Sequence, residues 1–541
     1  MSKSKAIWFG SEINSNVRLL PHLGLLWSKT FTLLGLEFDN ALLNMEKNIA
    51  DKLKTIEKLL NSWLYRNLTP FGKVAVIKSL ALSKLSHLAL VCPFDASIEK
   101  KMTKMMFEFI WNKKPDKIKR DFAYLPLGMG GLNAPNIHDF WKSLKFSWFR
   151  RLFVSENIWI QILIENLGAG SDLRDIMHGG PEMIKKMALS IQNAFWKETL
   201  KAFADIQTSI QFNKAEKVLE FNIFGNYHFK SGNQLLKKED FISIWNKKIY
   251  QAEAFVQKRD QGFHILARHE FNNKYSLNID FLSYHRIDVS IRSALRETAG
   301  VQQEDISEGG PHQPILRSLA FKHIKGCADF YRSIRHKKVL NIGTQSAELK
   351  WADSLRSVYD IRTWNKIWVM HLQTEFTNKN KWLQLQILRR VLPTNKIVNK
   401  FMPEIAKNCA YCGEYDETIE HLFWECAIVK QFWAHIYSFI EPIVGPKVCT
   451  KKNILFGDTE MMGNSLTNIF IMMGKTFIWQ RKFSLKTLYP ECFLSFAKNV
   501  VSDVILKLIT LNKFEPITVE WSNAITQLQI DLEFVKGQRF Q

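Results

Sequence analysis

The amino-acid sequence predicts a mainly α-helical protein with several hydrophobic cores. Over long stretches its apolar residues return every three or four positions, which is the spacing of one face of an α-helix. Hydrophobic residues make up 46% of the 541 residues, and 17 Trp and 39 Phe supply bulky side chains for the interior. A chain of this length allows roughly three to four domains. The composition excludes a largely disordered chain.

Two short β-like runs come before any helical pattern. They cover residues 5–9 and 31–38, and Gly24 and other turn residues separate them. We expect them to pair as the strands of a hairpin. Because two paired strands are at best marginally stable in water, this pair is not expected to stand alone.

Three consecutive amphipathic helices follow and predict a small bundle. The first spans residues 44–63, and the third spans about 98–111. Thr69 and Pro70 supply an N-cap and a first-turn proline for the second helix, which runs to about Leu85. The stripe of the first helix comprises Met45, Ile49, Leu53, Ile56, Leu60 and Trp63.

A basic run at 112–120 comes directly after the bundle, and a glycine-rich turn at 128–131 follows it. The whole chain has 74 Lys and Arg against 52 Asp and Glu, which gives a net charge of +22. Residues 1–150 alone contain 23 Lys and Arg and 12 Asp and Glu, so half of the net charge lies there. Such an excess favours polyanionic partners, because each neutralised phosphate releases counterions. A protein that is merely basic and soluble is the alternative interpretation.

The rest of the chain falls into three regions. Residues 151–354 are helix-rich at first and carry no functional signal, and 298–313 predict a flexible loop or linker. Residues 355–445 are dense in Trp and Phe, and 446–541 are helical with a break at Pro490. No apolar stretch is long enough for a membrane span or a secretion signal. We therefore expect an intracellular protein, nuclear or cytoplasmic, that is not secreted and does not enter a membrane.

Three of the seven cysteines lie with one histidine in the pattern C-x2-C-x8-H-x4-C. The two cysteines of a tight turn can hold one ion, and a His and a Cys five positions apart can complete a tetrahedron. Three sulfurs and one imidazole suit Zn²⁺ in a closed structural site. Unliganded cysteines and a redox C-x-x-C are the alternatives. The four residues are Cys409, Cys412, His421 and Cys426.

The other cysteines and the nearby tryptophans predict interior positions. Isolated cysteines are usually small buried apolar residues, and all seven together fit a reducing compartment. Aromatic residues at helical spacing are mostly core, although stacking on unpaired bases is the alternative. These residues are Cys92, Cys327, Cys449 and Cys492, with Trp364, Trp368, Trp382, Trp424 and Trp433.

Several of these segments, taken in order, resemble the C-terminal portion of the reverse transcriptase polyprotein of non-LTR (LINE-type) retrotransposons. Residues 2–10 are similar to the palm strand that follows the polymerase aspartates, and 31–36 to the hairpin that grips the primer. The thumb pattern is matched by Trp63, the run Leu68-Thr69-Pro70-Phe71-Gly72-Lys73, Ile77-Lys78, Phe109-Ile110-Trp111-Asn112 and Gly130-Gly131-Leu132. The zinc-binding segment downstream of the polymerase is matched by Cys409, Cys412, Glu417-Thr418, His421-Leu422-Phe423 and Cys426.

The resemblance implies an architecture of five regions. Residues 1–42 correspond to a palm remnant with its β hairpin, and 43–150 to a helical thumb bundle. A helical linker region of unknown role, 151–354, separates the thumb from a small zinc-binding domain at 355–445. A C-terminal helical region covers 446–541.

The resemblance also implies partners and a cofactor. RNA or an RNA–DNA hybrid is the expected partner, DNA is a further candidate, and Zn²⁺ is a structural cofactor. In such a thumb, basic side chains lie along the template–primer duplex, and lysines suit sequence-independent phosphate contact. A solvated helix face is the alternative interpretation. The basic residues are Lys73, Lys78, Lys84, Lys113, Lys114, Lys117, Lys119 and Arg120.

The sequence departs from this family at the residues that carry catalysis. These polymerases use two adjacent aspartates and a third on an earlier strand to hold two metal ions. No aromatic-x-Asp-Asp motif exists here, and Asp205, which follows Phe203-Ala204, precedes Ile206 and predicts an ordinary helical surface acid. Because these aspartates are missing, we expect that the chain cannot polymerise nucleotides alone. We also expect no endonuclease activity, since the endonuclease domain that such elements carry upstream is missing from this sequence as well.

Two other functions stay open. One is a co-opted structural or interaction protein whose zinc module contacts other proteins. The second is a subunit that completes a polymerase in trans, which is disfavoured because a split palm leaves unpaired strand edges.

Overall fold

The computed structural model is mostly helical, as the sequence predicts. None of the helices in the part of the chain that it describes is long and apolar enough to cross a bilayer. The described residues are 5–8, 25–33, 35–40, 45–92, 96–148, 158–167, 173–208, 218–219, 221–259, 262–299, 327–328, 330–332, 334–335, 346–372, 376–446, 449–459, 466–484, 487–510 and 519–537. Most of the predicted flexible segment, 300–313, lies outside them.

The described strands form four two-stranded sheets. A small hairpin is present, but the expected pairing of the two β-like runs with each other is wrong. The hairpin forms within the second run, where Phe31 lies opposite Phe38, their rings stack 5.2 Å apart, and Gly35 has φ +77° at the turn. The first run pairs elsewhere, in parallel with residues 26–27. The strands are β1 (Lys5–Ala6), β2 (Leu26–Trp27), β3 (Thr30–Leu33), β4 (Leu36–Asp39), β5 (Lys230–Ser231), β6 (Gln234–Leu235), β7 (Val256–Arg259) and β8 (Gly262–Ile265).

The three predicted N-terminal helices are confirmed, whereas their packing as one bundle stays a prediction. They are α1 (Met45–Leu64); α2 (Pro70–Val76) with a π-helical segment (Ile77–Ala81) and α3 (Leu82–Val91); and α4 (Ala96–Ile110). Thr69 caps α2, because its Oγ1 accepts a 3.4 Å hydrogen bond from the backbone N–H of Gly72. Pro70 occupies the first turn, where its missing N–H costs nothing.

The remaining helices follow in chain order, and the predicted break at Pro490 is confirmed as the start of a helix. They are α5 (Arg120–Ala123), α6 (Ile137–Phe146), α7 (Ile158–Asn166), α8 (Leu173–His178), α9 (Pro181–Ser190), α10 (Ala194–Thr208), α11 (Ile242–Asn246), α12 (Arg268–Tyr275), α13 (Phe281–Ala299), α14 (Ser346–Leu355), α15 (Ile361–Val369), α16 (Asn378–Leu388), α17 (Asn395–Val398), α18 (Ala427–Val444), α19 (Lys451–Phe456), α20 (Leu466–Arg481), α21 (Pro490–Thr510), α22 (Val519–Gln527) and α23 (Leu532–Gly537). Short 3₁₀ segments cover Leu127–Met129, Lys238–Phe241, Ala252–Phe255 and Met370–Leu372, and a second π-helical turn covers His421–Glu425.

The chain divides into two compact units that alternate along the sequence. The first comprises Met1–Leu59, Leu80–Lys104 and Asn136–Ile342, and the second Leu60–Ser79, Met105–Pro135 and Gly343–Gln541. The domain boundaries inferred from the family resemblance stay predictions.

The first unit contains more than one hydrophobic core. One core gathers α6, α9 and α10 around Trp196 and Phe203. Another lies within residues 218–294, where the rings of Phe255 and Phe271 stack 4.5 Å apart. The β5–β6 and β7–β8 hairpins belong to this second region, for which the sequence carried no strand signal. Asp205 lies half-exposed on α10 and forms an ion pair with Lys142, in agreement with its interpretation as a surface acid.

In the second unit, the glycine-rich turn lies against α15. Gly130 has φ +71°, and a Cβ atom there would lie only 2.2 Å from Trp368 Cε3. The buried guanidinium of Arg389 lies over the rings of Trp368 and Phe122 and donates to the carbonyl of Gly130 at 2.6 and 2.8 Å. Glycine is therefore required at this turn, because any side chain would displace the tryptophan.

Candidate metal centre

The first two candidate ligands lie on a tight turn. Cys409 and Cys412 are enclosed by an antiparallel bridge between Asn408 and Asp416. Inside the turn, the N–H of Gly413 donates to the carbonyl of Cys409 at 2.9 Å, and Gly413 has φ +74°. The left-handed conformation that glycine adopts readily closes this turn and places both thiols on one side. We call residues 408–417 the knuckle.

The other two candidate ligands flank a π-helical turn. The backbone N–H of His421 donates to Thr418 Oγ1 at 2.9 Å, which fixes the start of the turn. Cys426 closes it, since its N–H donates to the carbonyl of His421 at 3.0 Å, and α18 begins at the next residue. Insertion of an extra residue into a helical turn is a common device at functional sites, where it reorients side chains. Here it directs the imidazole and the last thiol toward the knuckle.

The four side chains meet at one point. Their ligand atoms all lie within 4.8 Å of one another, and Cys412 Sγ lies 3.3 Å from His421 Nε2. In a tetrahedral zinc site with Zn–S bonds of about 2.3 Å, neighbouring ligand atoms lie about 3.8 Å apart. Cys409, His421 and Cys426 are buried and Cys412 is half-buried. The four donor atoms and their distances fit a closed tetrahedral site for Zn²⁺.

The pKa of one candidate ligand, Cys426, favours metal binding, because the thiolate form is stabilised. Hydrogen bonding to Cys409 lowers the pKa of Cys426 to about 7 against the effect of burial, and the backbone N–H groups of Val429 and Ile428 add to the lowering. The same hydrogen bond, together with burial, raises the pKa of Cys409. The thiolate form is the metal ligand, and a thiol at a helix N-terminus deprotonates readily. The surroundings of Cys426 therefore favour its thiolate, which is the form that binds a metal ion.

A family model described as zinc-binding in reverse transcriptase matches residues 346–433. All four candidate ligands lie inside this segment, so it is a zinc-binding domain of the kind associated with reverse transcriptases. The segment starts with α14, before the predicted boundary at 355, and it ends within α18. The comparison with curated proteins finds no match.

A buried carboxylate supports the knuckle from behind. The side chain of Glu417 is fully buried, and its Oε1 accepts from the backbone N–H of Asn395 at 2.8 Å and from the ammonium of Lys482. Its Oε2 accepts from the backbone N–H of Ala410 at 3.0 Å. The family resemblance pointed to Glu417 only as part of a motif. Lys482 carried no sequence signal, because it lies 65 positions farther along the chain.

A second buried carboxylate lies next to His421. Burial alone raises the pKa of Glu420, but the hydrogen bond from Ser354 and the charge of Arg390 outweigh it, and the pKa is lowered. Arg390 Nη2 lies 2.7 Å from Glu420 Oε1, and the guanidinium also lies over the ring of Trp351. The hydrogen bond from Ser354 and the contact of Arg390 with Trp351 link the metal-binding turn to α14, at the beginning of the matched segment.

Three of the five tryptophans are core, as predicted. Trp364, Trp368 and Trp433 are buried, and the indole N–H of Trp433 donates to the carbonyl of Phe423 at 2.8 Å. Trp424 is half-buried. Trp382 is half-buried as well, and its ring lies 5.9 Å from that of Trp111. These contacts account for the aromatic density of the region without a nucleic acid.

The predicted phosphate-binding residues lie in two kinds of surroundings. Lys73 is 1% exposed, and its ammonium donates to the carbonyl of Phe109 at 2.9 Å and to Asn112 Oδ1. Burial lowers the pKa of this lysine. Its position argues against phosphate contact, because the ammonium already satisfies carbonyls at the C-terminal end of α4.

The other seven predicted residues are exposed: Lys78, Lys84, Lys113, Lys114, Lys117, Lys119 and Arg120. Five of them lie in residues 113–120, a segment that runs from shortly after the end of α4 to the first residue of α5, and we call this segment the basic loop. Within it, Arg120 Nε lies 2.8 Å from Asp116 Oδ2, and the guanidinium lies over the ring of Phe107. Phosphate contact by these seven residues stays a prediction.

The isolated cysteines are buried in one case of four. Cys92 is fully buried, and burial raises its pKa to about 11. Cys327, Cys449 and Cys492 are half-buried, so the prediction of interior positions is wrong for these three. The sequence could not distinguish the buried cysteine from the three half-buried ones, because the burial of each depends on the segments that pack around it.

Proposed function

We propose that this chain binds RNA or an RNA–DNA hybrid through its exposed basic residues and holds one structural Zn²⁺, without polymerising nucleotides. The observation that carries the proposal is the match of residues 346–433 to a reverse-transcriptase zinc-binding family, with all four ligand atoms brought together there. Zn²⁺ bound by three thiolates and one imidazole is structural chemistry, because no coordination position is left for water. The zinc would be held by Cys409, Cys412, His421 and Cys426.

The nucleic-acid part of the proposal is supported by charge and exposure. The basic loop presents four lysines to solvent, and lysines bind phosphate as point charges without reading bases. The net charge of +22 adds a long-range attraction for a polyanion. The order of palm-like, thumb-like and zinc-binding segments, similar to that of a non-LTR retrotransposon polyprotein, favours RNA or an RNA–DNA hybrid over DNA.

A salt titration of binding tests this part. Fluorescence anisotropy of a labelled RNA and of an RNA–DNA hybrid gives the affinity at each salt concentration. We expect log K to fall linearly with log salt, because bound phosphates release counterions. A flat dependence would contradict phosphate-driven binding.

A matched pair of charge variants locates the surface. Replacing Lys113, Lys114, Lys117 and Lys119 with Gln removes four charges from the basic loop. Replacing the exposed Lys54, Lys58, Lys100 and Lys101 with Gln removes four charges from α1 and α4. We expect the first variant to lose more of the salt slope than the second. Equal losses would mean that the basic loop is not the binding surface.

A primer-extension assay tests the absence of polymerase activity. The sequence contains no aromatic-x-Asp-Asp motif for the two metal ions of nucleotide addition. We expect no extension of a primed template by the purified chain with Mg²⁺ and all four deoxynucleotides. Extension without a helper protein would overturn the proposal.

Protein binding through the zinc domain is a second candidate function. Several apolar side chains in and before the knuckle are exposed to solvent, namely Phe401 (81%), Tyr415 (64%) and Met402 (50%). Exposed apolar side chains are typical of protein interaction sites where they form one continuous patch. An unchanged RNA affinity in a variant with Phe401→Ser and Tyr415→Ser, together with loss of a co-purifying protein, would favour this function.

A further inference from the structure

The knuckle is attached to a helix that lies beyond the matched segment. Glu417 Oε1 accepts a hydrogen bond from Lys482, which follows directly after α20, and the two side chains are 0% and 4% exposed. The same carboxylate accepts from the N–H of Ala410, the residue after the ligand Cys409. One buried carboxylate therefore joins the metal-binding turn to the C-terminal end of α20.

A second side chain makes the same connection. Tyr411, between the ligands Cys409 and Cys412, donates its hydroxyl to the backbone carbonyl of Ile478 in α20. That carbonyl also accepts from the N–H of Lys482 at 3.2 Å. Two residues of the knuckle therefore hold the end of α20. Tyr411 binds its backbone at Ile478, and Glu417 binds the side chain of Lys482, the residue after the helix.

The ligand Cys426 reaches α20 by a different route. Its helix, α18, carries Trp433, and a Cβ atom at Gly474 of α20 would lie 2.5 Å from Trp433 Cη2. The rings of Phe432 and Phe477 stack 5.6 Å apart. This packing is apolar and holds the middle of α20, whereas the knuckle holds its end.

We propose that Glu417, Tyr411 and Lys482 are positioning residues of the metal centre and that zinc binding is coupled to the order of the last turn of α20. The inference rests on the zinc part of the proposed function. It extends the functional zinc domain to about residue 484, since the support of the knuckle lies outside residues 346–433.

The physical basis is the cost of an isolated buried charge and the reciprocity of coupling. Loss of the ion would free the knuckle to move, and Glu417 and Lys482 would then separate or become hydrated. Conversely, weakening the attachment of α20 must lower the affinity for zinc by the same factor. Groups that support metal ligands from behind typically change metal affinity by about 10–100-fold.

Hydrogen–deuterium exchange of the full chain tests the coupling. Metal analysis first establishes one zinc per chain, and exchange is then compared before and after removal of zinc with 1,10-phenanthroline. We expect amides of residues 479–484 to exchange at least about tenfold faster without zinc, along with those of the knuckle. Amides in the middle of α20 change less, and those of α13 in the first unit do not change.

Two variants and a matched control test the reciprocal effect. Lys482→Met keeps the length of the side chain but leaves Glu417 without its cation, and we expect zinc affinity to fall by about 10–100-fold in a competition titration. Tyr411→Phe removes a single hydrogen bond and should cause a smaller fall. Lys498→Met changes an exposed lysine of α21 and should leave zinc affinity unchanged.

The outcomes separate this inference from the proposed function. A purified chain without zinc contradicts the proposed function, and the inference falls with it. A chain that holds zinc, and whose exchange after chelation speeds up only in residues 408–426, overturns the inference alone. The exchange comparison uses the unaltered chain, so it decides the question even where Lys482→Met fails to fold.

Discussion

The knuckle and the basic loop use charged side chains in opposite ways. In the knuckle, Glu417 is fully buried and accepts from two backbone N–H groups and one ammonium, so its geometry is unique. In the basic loop, Lys113 and Lys117 are exposed to solvent. A fixed geometry suits an ion that requires a tetrahedron, while exposed and adaptable cations suit a polyanion of variable sequence.

Lys73 shows that a basic residue of the thumb-like region can have a structural role. Its sequence position groups it with the basic residues of the thumb-like region. Its surroundings group it with the knuckle, because it is buried and its ammonium is bound by carbonyls of Phe109 and Ile110. Burial, rather than charge, therefore separates structural cations from candidate phosphate contacts in this chain.

Removal of one zinc ligand is the strongest test of the comparison. In Cys409→Ser the closed site loses a thiolate, and we expect the chain to lose its stoichiometric zinc, measured by elemental analysis after gel filtration. Metal binding to such a site is also folding free energy, so the unfolding temperature should fall. Cys492→Ser, at a half-buried cysteine of α21, is the control and should keep both. Zinc retained in the first variant would break the assignment of the centre.

Removal of the buried ammonium of Lys73 should cost stability but not nucleic-acid binding. In Lys73→Met the carbonyls of Phe109 and Ile110 lose their donor inside the core, which costs about 1–3 kcal/mol. Urea denaturation measures this loss, and Lys58→Met at an exposed position of α1 is the matched control. The salt slope of RNA binding should be the same in both proteins. A reduced slope in Lys73→Met alone would reassign this residue to the binding surface.

Lys475 of α20 extends the comparison to a buried lysine that donates to neutral acceptors. Its Nζ donates to Gln384 Oε1 at 2.5 Å, and burial lowers its pKa from 10.5 to about 7. Between these two values the unfolded chain binds a proton that the folded chain does not, so stability rises with pH. We expect a rise of roughly 1 kcal/mol per pH unit above pH 7. Lys475→Met should flatten this dependence in urea denaturation at saturating zinc, and an unchanged slope would contradict it.

Local spacing was sufficient to predict that the four candidate metal ligands lie together. All four ligands lie within eighteen positions, from Cys409 to Cys426, so short-range geometry restricts how they can meet. The N-terminal helices were predictable for the same reason, since the apolar stripe of α1 and the Thr69 cap of α2 are local signals. The hairpins at 230–235 and 256–265 were not, because their strands are two to four residues long.

Tertiary partners were not predictable from the same signals. Lys73 donates to the carbonyl of Phe109, which lies 36 positions farther along the chain. Lys482 donates to Glu417, which lies 65 positions earlier in the chain. In the sequence, the pattern around each of these two buried lysines does not differ from the pattern around a lysine on a solvent-exposed helix face. Only the burial of neighbouring apolar residues decides between them, and that depends on how distant segments pack.

The smallest expected effect concerns a single exposed lysine of the basic loop. Lys114→Gln removes one charge from a solvent-exposed position, so the free energy of unfolding should change by less than about 0.5 kcal/mol. If this lysine contacts one phosphate, the salt slope of RNA binding should decrease by about 0.7 to 0.9. Lys58→Gln on α1 is the matched control, which should leave the slope unchanged. A slope unchanged in both variants would remove Lys114 from the binding surface, whereas a loss of stability in Lys114→Gln would show that an exposed lysine here acts as Lys73 does.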